Sequence, residues 1–349
     1  KYGHKLLKKK SGNLKIKCDS FVLETDVHFP TDINLLSDAM RKVVLLTMRL
    51  CEENGITEWR QAKLNLRKVK SLYRRAQNLK RSNSQNQDKK NEREKNIIEA
   101  HRLYLKITNE YLEKAEVSLL KMRNKISIMV DAEITIVEGF MRHARRQIDQ
   151  IKRRIIDGEI IPHHEKVFSI FEKHTEWISK GKAGVPVELG VRVCIMEDQY
   201  GFIVNSRVME KETDDKVAVV MVEEAKKKFT SINSCSFDRG FYSPSNKIEL
   251  EKILDKVILP KKGKLNKAEK EIESEEEFRK AKRRHSGVES AINALEVHGL
   301  DRCLDNGIHG FKRYVAMAVV AFNIHKVGAI ILKKKQRYEK RGKQLRKAS

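Results

Sequence analysis

Proline is scarce and unevenly spread: the 349 residues contain five, at Pro30, Pro162, Pro186, Pro244 and Pro260. Between Pro30 and Pro162 nothing removes a backbone donor or forces a kink. That stretch is rich in Lys, Arg, Glu, Leu and Ile, so it suits long helices. The five cysteines, Cys18, Cys51, Cys194, Cys235 and Cys303, include no C-x-x-C pair to hold zinc or run dithiol chemistry. Buried, reduced thiols in a cytosolic protein are the simplest expectation.

The histidines lack an H-x-x-x-H spacing. His28, His285 and His298 stand apart, and the neighbours His163 and His164 must diverge, which argues against a zinc centre. With no Walker loop and no G-x-G-x-x-G, nucleotide hydrolysis has no support. No apolar run approaches the roughly 20 residues of a spanning helix. The longest late run, Val315 to Asn323, is bracketed by Arg313 and His325, so no membrane partner is expected. No signal peptide is recognisable, and a chain opening on Lys1 reads as a fragment whose N-terminal portion lies outside it. The two tryptophans, Trp59 and Trp177, read as core or connector residues rather than base-stacking partners.

What the chain has in excess is positive charge. Lys and Arg number 73 against 48 Asp and Glu, a net +25. Such a surplus attracts polyanions, of which nucleic acid is the commonest.

Apolar spacing supplies the organisation. Leu105, Leu112, Ala115, Leu119, Met122, Ile126 and Met129 form one helical seam, and Val137, Met141, Ala144, Ile148, Ile151 and Ile155 a second. Two such stripes suit an antiparallel helical hairpin, with Asp131 to Gly139 either turning or running on as helix. Lys80 to Glu94 has no apolar residue and predicts a solvated loop or frayed helix. This block, 31–181, reads as an all-helical insertion, serving either as scaffold or as an arm gripping DNA or a second subunit.

The flanks differ. Leu14 to Val27 alternates like a strand, and Val187 to Met196 and Gly201 to Met209 read as two strands around a turn with Asp198 and Gly201. A helix over Asp215 to Phe229, a buried strand over Ser231 to Phe237, a helix over Ser245 to Leu254 and a short strand over Lys256 to Leu259 follow. Ser274 to Leu300 and Gly310 to Leu332 close the chain as helices. The predicted fold is α/β: an RNase-H-like mixed sheet flanked by helices, interrupted after its first strand by the helical insertion. Its parts are residues 1–30, the insertion 31–181, residues 182–332, and a flexible basic tail over 333–349.

In that order of elements, Asp19 lies mid-way along the first strand, Asp238 at the end of the fourth, and Glu289 on the penultimate helix. In such a fold two neighbouring strand ends and a facing helix can converge on one point although the residues lie far apart in sequence. Magnesium takes oxygen ligands, and a pair of ions needs carboxylates to hold and bridge them. Such a pair activates an attacking oxygen and stabilises a leaving one in phosphoryl transfer. Asp26 and Asp32 compete with Asp19. Asp32 is better explained by a helix N-terminus, and Asp26, seven residues on, falls on the opposite strand face.

Three segments carry a family resemblance: DSFVLETDVHFPTDINLL at 19–36, FDRGFYSPSN at 237–246, and RRHSGVESAINALEVHGLDRCLDNGIHGFKRYVAMAVVAFNIHKVG at 283–328. They resemble the bacterial insertion-sequence transposases of the DDE, RNase-H-like superfamily, in the branch with an early helical insertion. The resemblance implies Asp19, Asp238 and Glu289 as a metal-binding catalytic triad holding two Mg²⁺ ions, with Mn²⁺ able to substitute. Related enzymes carry Tyr, Arg and Lys at offsets that here hold Lys282, His285 and Glu296, with Arg283 and Arg284 close by.

The resemblance implies a DNA transposase that cuts at transposon ends and transfers the strand to target DNA. Its DNA partners would be terminal inverted repeats and target, and pairing two ends implies a homodimer. An RNase-H-like nuclease without strand transfer, or a decayed, non-catalytic DNA-binding protein, is the alternative. Arg239, Lys261, Lys262, Lys264, Arg283, Arg284 and Arg313 are the candidate phosphate contacts, and the Lys- and Arg-rich tail adds sequence-independent affinity. The expected location is the bacterial cytoplasm, on the nucleoid.

Overall fold

The computed structural model describes residues 2–7, 12–79, 85–123, 128–179 and 186–348. In chain order the elements begin with α1 (Tyr2–Leu6), β1 (Leu14–Thr25), α2 (Asp32–Glu53), α3 (Ala62–Asn78), α4 (Gln87–Arg123) and α5 (Ile128–Ile151). Next come β2 (Glu176–Ser179), β3 (Val187–Asp198), β4 (Ile203–Met209), α6 (Asp214–Lys228), β5 (Ile232–Phe237), α7 (Pro244–Ile253) and β6 (Lys256–Ile258). The chain closes with α8 (Lys267–Ser274), α9 (Glu276–His285), α10 (Gly287–Leu295), β7 (Arg302–Cys303) and α11 (Gly307–Ala348).

Two compact units divide these elements: residues 1–26 with 174–349, and residues 27–173. The first is mixed α/β around a seven-stranded open sheet of order β2-β3-β1-β5-β6, with β4 also on β3 and β7 also on β1. β1 is antiparallel to β3 and parallel to β5, and β5 is parallel to β6.

Alternation along β1 feeds two cores. Leu14, Ile16 and Cys18 enter a cluster with Val217, Met221 and Val222 of α6, Leu250 of α7, and Phe237. Phe21 and Leu23 enter another with Val288, Ile292 and Leu295 of α10 and with Phe311 and Val315 of α11. Each large apolar side chain so buried contributes about 1.5–3 kcal/mol. β1 and β3 pack so closely that a Cβ on Gly190 would land on the Leu23 carbonyl oxygen. At the β3–β4 turn, Asp198 is fully buried. It accepts from the Tyr200 and Phe202 amides at 2.8 and 3.0 Å, and from His4 of α1 at 2.5 Å; Gly201 takes the positive φ of +81° that the turn needs.

In the second unit the described elements are helical. Thr31 caps α2 by accepting from the Asn34 amide, which leaves Asp32 in the first turn, ion-paired to Arg154 at 2.9 Å. The helical seams are core: Leu105, Leu112, Ala115, Leu119 and Met122 pack with Val137, Met141, Ala144 and Ile151. Ile148 and Ile155 pack at the margin, while the side chains of Ile126 and Met129 lie outside the described residues. Trp59 is buried and donates to Ser118 Oγ at 2.9 Å.

Three expectations change and one narrows to a single alternative. Glu176–Ser179, read as the end of the helical stretch, is instead strand β2 on the edge of the sheet, paired with Val187–Gly190. Lys80 to Glu94, read as a solvated loop or frayed helix, is solvated helix from Gln87 on, with residues 80–84 outside the described set; α4 begins there because Asn86 Oδ1 accepts from the Asp88 and Lys89 amides. A capped start of good helix formers needs no apolar residue. The single helix read over Ser274 to Leu300 is broken at Glu275, whose ψ of 138° is extended, and ends in a wide turn where Gly299 has φ +107°. The tail read as flexible continues α11 to Ala348, since extending an existing helix costs far less than starting one.

α11 corrects a fifth reading. Over Gly307–Lys340 it is, among the described residues, long and apolar enough by length and composition to cross a membrane. Residues 314–332 carry one formal charge, Lys326; Asn323, His325 and Gly328 interrupt the run without making the stretch polar. Its first turns are committed to the sheet: Phe311 and Val315 are buried, and the Asn323 carboxamide bonds both the amide and the carbonyl of Ile203, at 3.0 and 2.9 Å.

Candidate active site

The parallel register of β1 and β5 sets Cys18 beside Phe237. Both point into the same core cluster, so the next residue on each strand, Asp19 and Asp238, turns to the opposite face. Neighbouring strands run about 4.8 Å apart, so the two aspartates leave the sheet side by side. Asp238 keeps an extended backbone, φ −76° and ψ 165°, as the chain enters a single helical turn over Arg239–Phe241.

The third acid comes from above that face. α10 buries Val288, Ala291, Ile292 and Leu295 in the cluster that holds Phe21 and Leu23, on the Asp19 side of β1. Glu289 follows Val288 in the first turn and is exposed. The start of α10 lies close to the strand: a Cβ on Gly287 would come within 3.1 Å of Lys17 Nζ. Just before it, His285 Nδ1 meets Ser236 Oγ at 3.0 Å, tying the end of α9 to β5.

Electrostatics registers the convergence. The Asp19 carboxyl is pushed up from 3.8 to about 7. Burial is the largest cause; the Asp238, Asp214 and Glu289 carboxylates add repulsion, and the Ser20 amide, donating to Asp19 Oδ1 at 2.8 Å, pulls the other way. His285 is pushed below its ordinary value, first by burial and then by Lys17, against the pull of Asp238 and Glu289. It is a neutral ring facing acids.

Asp214 was not among the residues singled out in the sequence. It opens α6 and accepts from Ser20 Oγ at 2.7 Å. Ser20 therefore bridges two carboxylates, one through its amide and one through its hydroxyl. A Cβ on Gly240 would approach Asp214 Oδ2 to 2.9 Å, so glycine there lets the turn after Asp238 pass this side chain. The available signal was a Thr-Asp-Asp helix start directly after a strand, a pattern equally common at ordinary helix ends.

The competing acids lie elsewhere. Asp26 is exposed beyond the end of β1, 3.6 Å from Arg302. Among the basic candidates, Lys261 is held by Glu269 at 2.8 Å and Arg313 by Asp305 at 2.5 Å, so their charges are already matched within the chain. Arg239, Lys262, Lys264, Arg283 and Arg284 are exposed, with no ion pair among the described residues. At the family offsets, Lys282 is 3.7 Å from Glu273, His285 is bonded to Ser236, and Glu296 lies in the wide turn after α10.

Among the described residues no three His, Cys, Asp or Glu side chains are already gathered closely enough to grip an ion. The donor set still suits a hard divalent cation in kind: all its donors are carboxylate oxygens, and their mutual repulsion is what a cation would relieve. Family models, curated proteins and solved structures contain no match to the chain.

Proposed function

We propose that this chain is a DNA transposase of the DDE class, with an RNase-H-like catalytic unit formed by residues 1–26 and 174–349 and with Asp19, Asp238 and Glu289 as its acids. The carrying observation is the parallel β1–β5 register, which sends Asp19 and Asp238 out of the sheet side by side on the face that α10 covers; burial first, and then Asp238, Asp214 and Glu289, push the Asp19 carboxyl up there. The sheet order supports the reading: an antiparallel meander, β1, β3 and β4, followed by parallel β5 and β6 on the other side of β1, is the arrangement expected of that fold.

Asp19, Asp238 and Glu289 would hold two magnesium ions, which supply Lewis acidity to the attacking and leaving oxygens of a phosphodiester. The chain's own groups do the rest. Ser20 fixes the Asp19 carboxylate. Arg239, Arg283 and Arg284 border the acids with unmatched positive charge and would orient the DNA backbone. Neutral His285 braces the end of α9 against β5. Water would cut at the element's end, and the freed 3′ hydroxyl would then attack target DNA at the same acids. Two ends must be paired for this, so the working form is a homodimer acting in the bacterial cytoplasm.

The test uses duplexes copied from the DNA bordering this chain's coding sequence, some with pre-cut 3′ ends, incubated with Mg²⁺ or Mn²⁺. Joined products are expected. Asp238→Asn and Glu289→Gln should lower joining by about 10³-fold or more without abolishing DNA binding. Metal-dependent cleavage with no joined product would favour a nuclease, and undiminished joining by Asp238→Asn would sink the assignment.

A further inference from the structure

We infer that α3, within the unit formed by residues 27–173, is a docking face for the phosphate backbone of duplex DNA; the inference deepens the transposase reading and rests on it. α3 carries Lys63, Arg67, Lys68, Lys70, Arg74 and Arg75 and no acidic residue in its 17 positions. All six basic side chains are exposed, and none has an ion-pair partner among the described residues.

The other helices of this unit are different. Arg49 pairs with Glu133, Lys121 with Glu58, Arg123 with Asp131 and Glu138, Arg145 with Glu116, and Arg153 with Asp149, Glu159 and Glu165. The unit also leaves Lys89, Lys90, Lys95, Arg102, Lys106 and Lys114 of α4 without ion pairs among the described residues, but along that helix it places seven acidic residues, from Asp88 to Glu116, that offset them. On α3 it places none, so the charge there is left to attract an anion from outside.

The geometry is that of a rail. Helical residues advance by about 100° and 1.5 Å each, so Lys63, Arg67, Lys70 and Arg74 fall on one line about 16 Å long. Lys68 and Arg75 form a second, shorter row. The packing face, Ala62, Asn65, Val69 and Ala76, is buried on the other side. Between the two rows runs a ridge of Leu64, Ser71 and Asn78. One leucine is too little apolar surface for an interfacial membrane helix, which needs a continuous apolar face. Duplex DNA, with a charge about every 1.7 Å of its axis, matches a repeating row of cations.

The test measures binding of the full chain to a random-sequence 30-base-pair duplex, in chelator so that no cleavage intrudes, over a range of salt concentrations. Lys63→Gln, Arg67→Gln, Lys70→Gln and Arg74→Gln together keep helix propensity and remove the row. Counterion release at about 0.9 per phosphate predicts a log–log salt slope shallower by about 3–4 and binding about 10²–10³-fold weaker at 0.1 M salt. A control replacing the paired Arg49, Lys121, Arg123 and Arg145 by Gln should change the slope by less than about one.

An unchanged slope in the α3 variant, or an equal fall in the control, overturns the inference. So does DNA binding that ignores α3 while vesicles of phosphatidylserine and phosphatidylcholine bind through it. Should the fourfold variant fail to fold, Lys63→Gln with Arg74→Gln must still lower the slope by about 1.8. α3-dependent binding alongside a parent that yields no joined product with Mg²⁺ or Mn²⁺ would sink the transposase reading alone. Parental joining with an α3-independent salt slope would sink this inference alone.

Discussion

Replacing Asp19 by Asn removes one negative charge from a half-buried place that already faces three other carboxylates, while leaving an oxygen to accept from the Ser20 amide. A carboxyl whose proton is held more tightly in the folded chain favours folding only while it is protonated. The folded value is about 7 against an ordinary 3.8, so the benefit is complete below about pH 4 and is lost as pH rises to about 7. Roughly three pH units at 1.36 kcal/mol each set a ceiling of about 4 kcal/mol, and solvent access to the side chain brings the expected value nearer 2 kcal/mol.

Asn cannot ionise, so the variant should match the parent near pH 4 and exceed it by about 2 kcal/mol at pH 8. The assay is urea unfolding of parent and variant in chelator from pH 4 to 8; the charge of the rest of the chain affects both and cancels in the difference. Adding Mg²⁺ at pH 8 should stabilise the parent more than the variant, because only the parent keeps the full acid set. A difference that stays flat with pH, or an Asn variant that is less stable at pH 8, would refute the claim that burial, with the neighbouring carboxylates, holds the Asp19 proton.

Three further outcomes follow from particular contacts. Ser20→Ala and Asp214→Ala should each lower the joining rate by about tenfold with little change in DNA affinity, and the double variant should be no worse than either. Asp214→Asn, whose amide oxygen still accepts from Ser20, should stay near parental in the same single-turnover assay. Gly190→Ala should cost about 3 kcal/mol or more in an unfolding titration, because its methyl group meets the Leu23 carbonyl between paired strands. Phe311→Ala should cost about 3–5 kcal/mol in the same titration, since Phe311 anchors α11 beneath the sheet and is fully buried.

The sheet was legible where apolar residues recur at alternate positions, although both faces of β1 and β3 are packed. β1 alternates from Leu14 to Cys18 and β3 from Val187 to Val193, while β5, INSCSF, sets Ile232, Cys235 and Phe237 among Asn233, Ser234 and Ser236 and was read as a buried strand over Ser231 to Phe237. The helical seams were legible for the same reason, with buried positions recurring every three or four residues. β2 escaped because four residues cannot display a period; it is a strand by virtue of the exposed edge of β3, which lies later in the chain. The continuation of α11 escaped too. Lys and Arg in number suggest a solvated tail, yet Lys, Arg, Gln and Glu are good helix formers once a helix already exists.

For the candidate site, Asp19 stood out against the apolar strand around it, while Asp238 and Glu289, both exposed, stood out by the resembling segments that hold them. Asp214 had no such contrast. An acid at a helix start is ordinary, and only the tertiary hydrogen bond from Ser20 makes it part of the site. The basic residues divide by the same logic. Lys261 and Arg313 looked no different in sequence from Arg283 and Arg284, but a matched cation is already neutralised where an unmatched one is not. Charge count alone therefore overstates the positive surface left open to a polyanion. The better guide is the set of cations that the fold leaves without carboxylates: those bordering Asp238 and Glu289, and the row along α3.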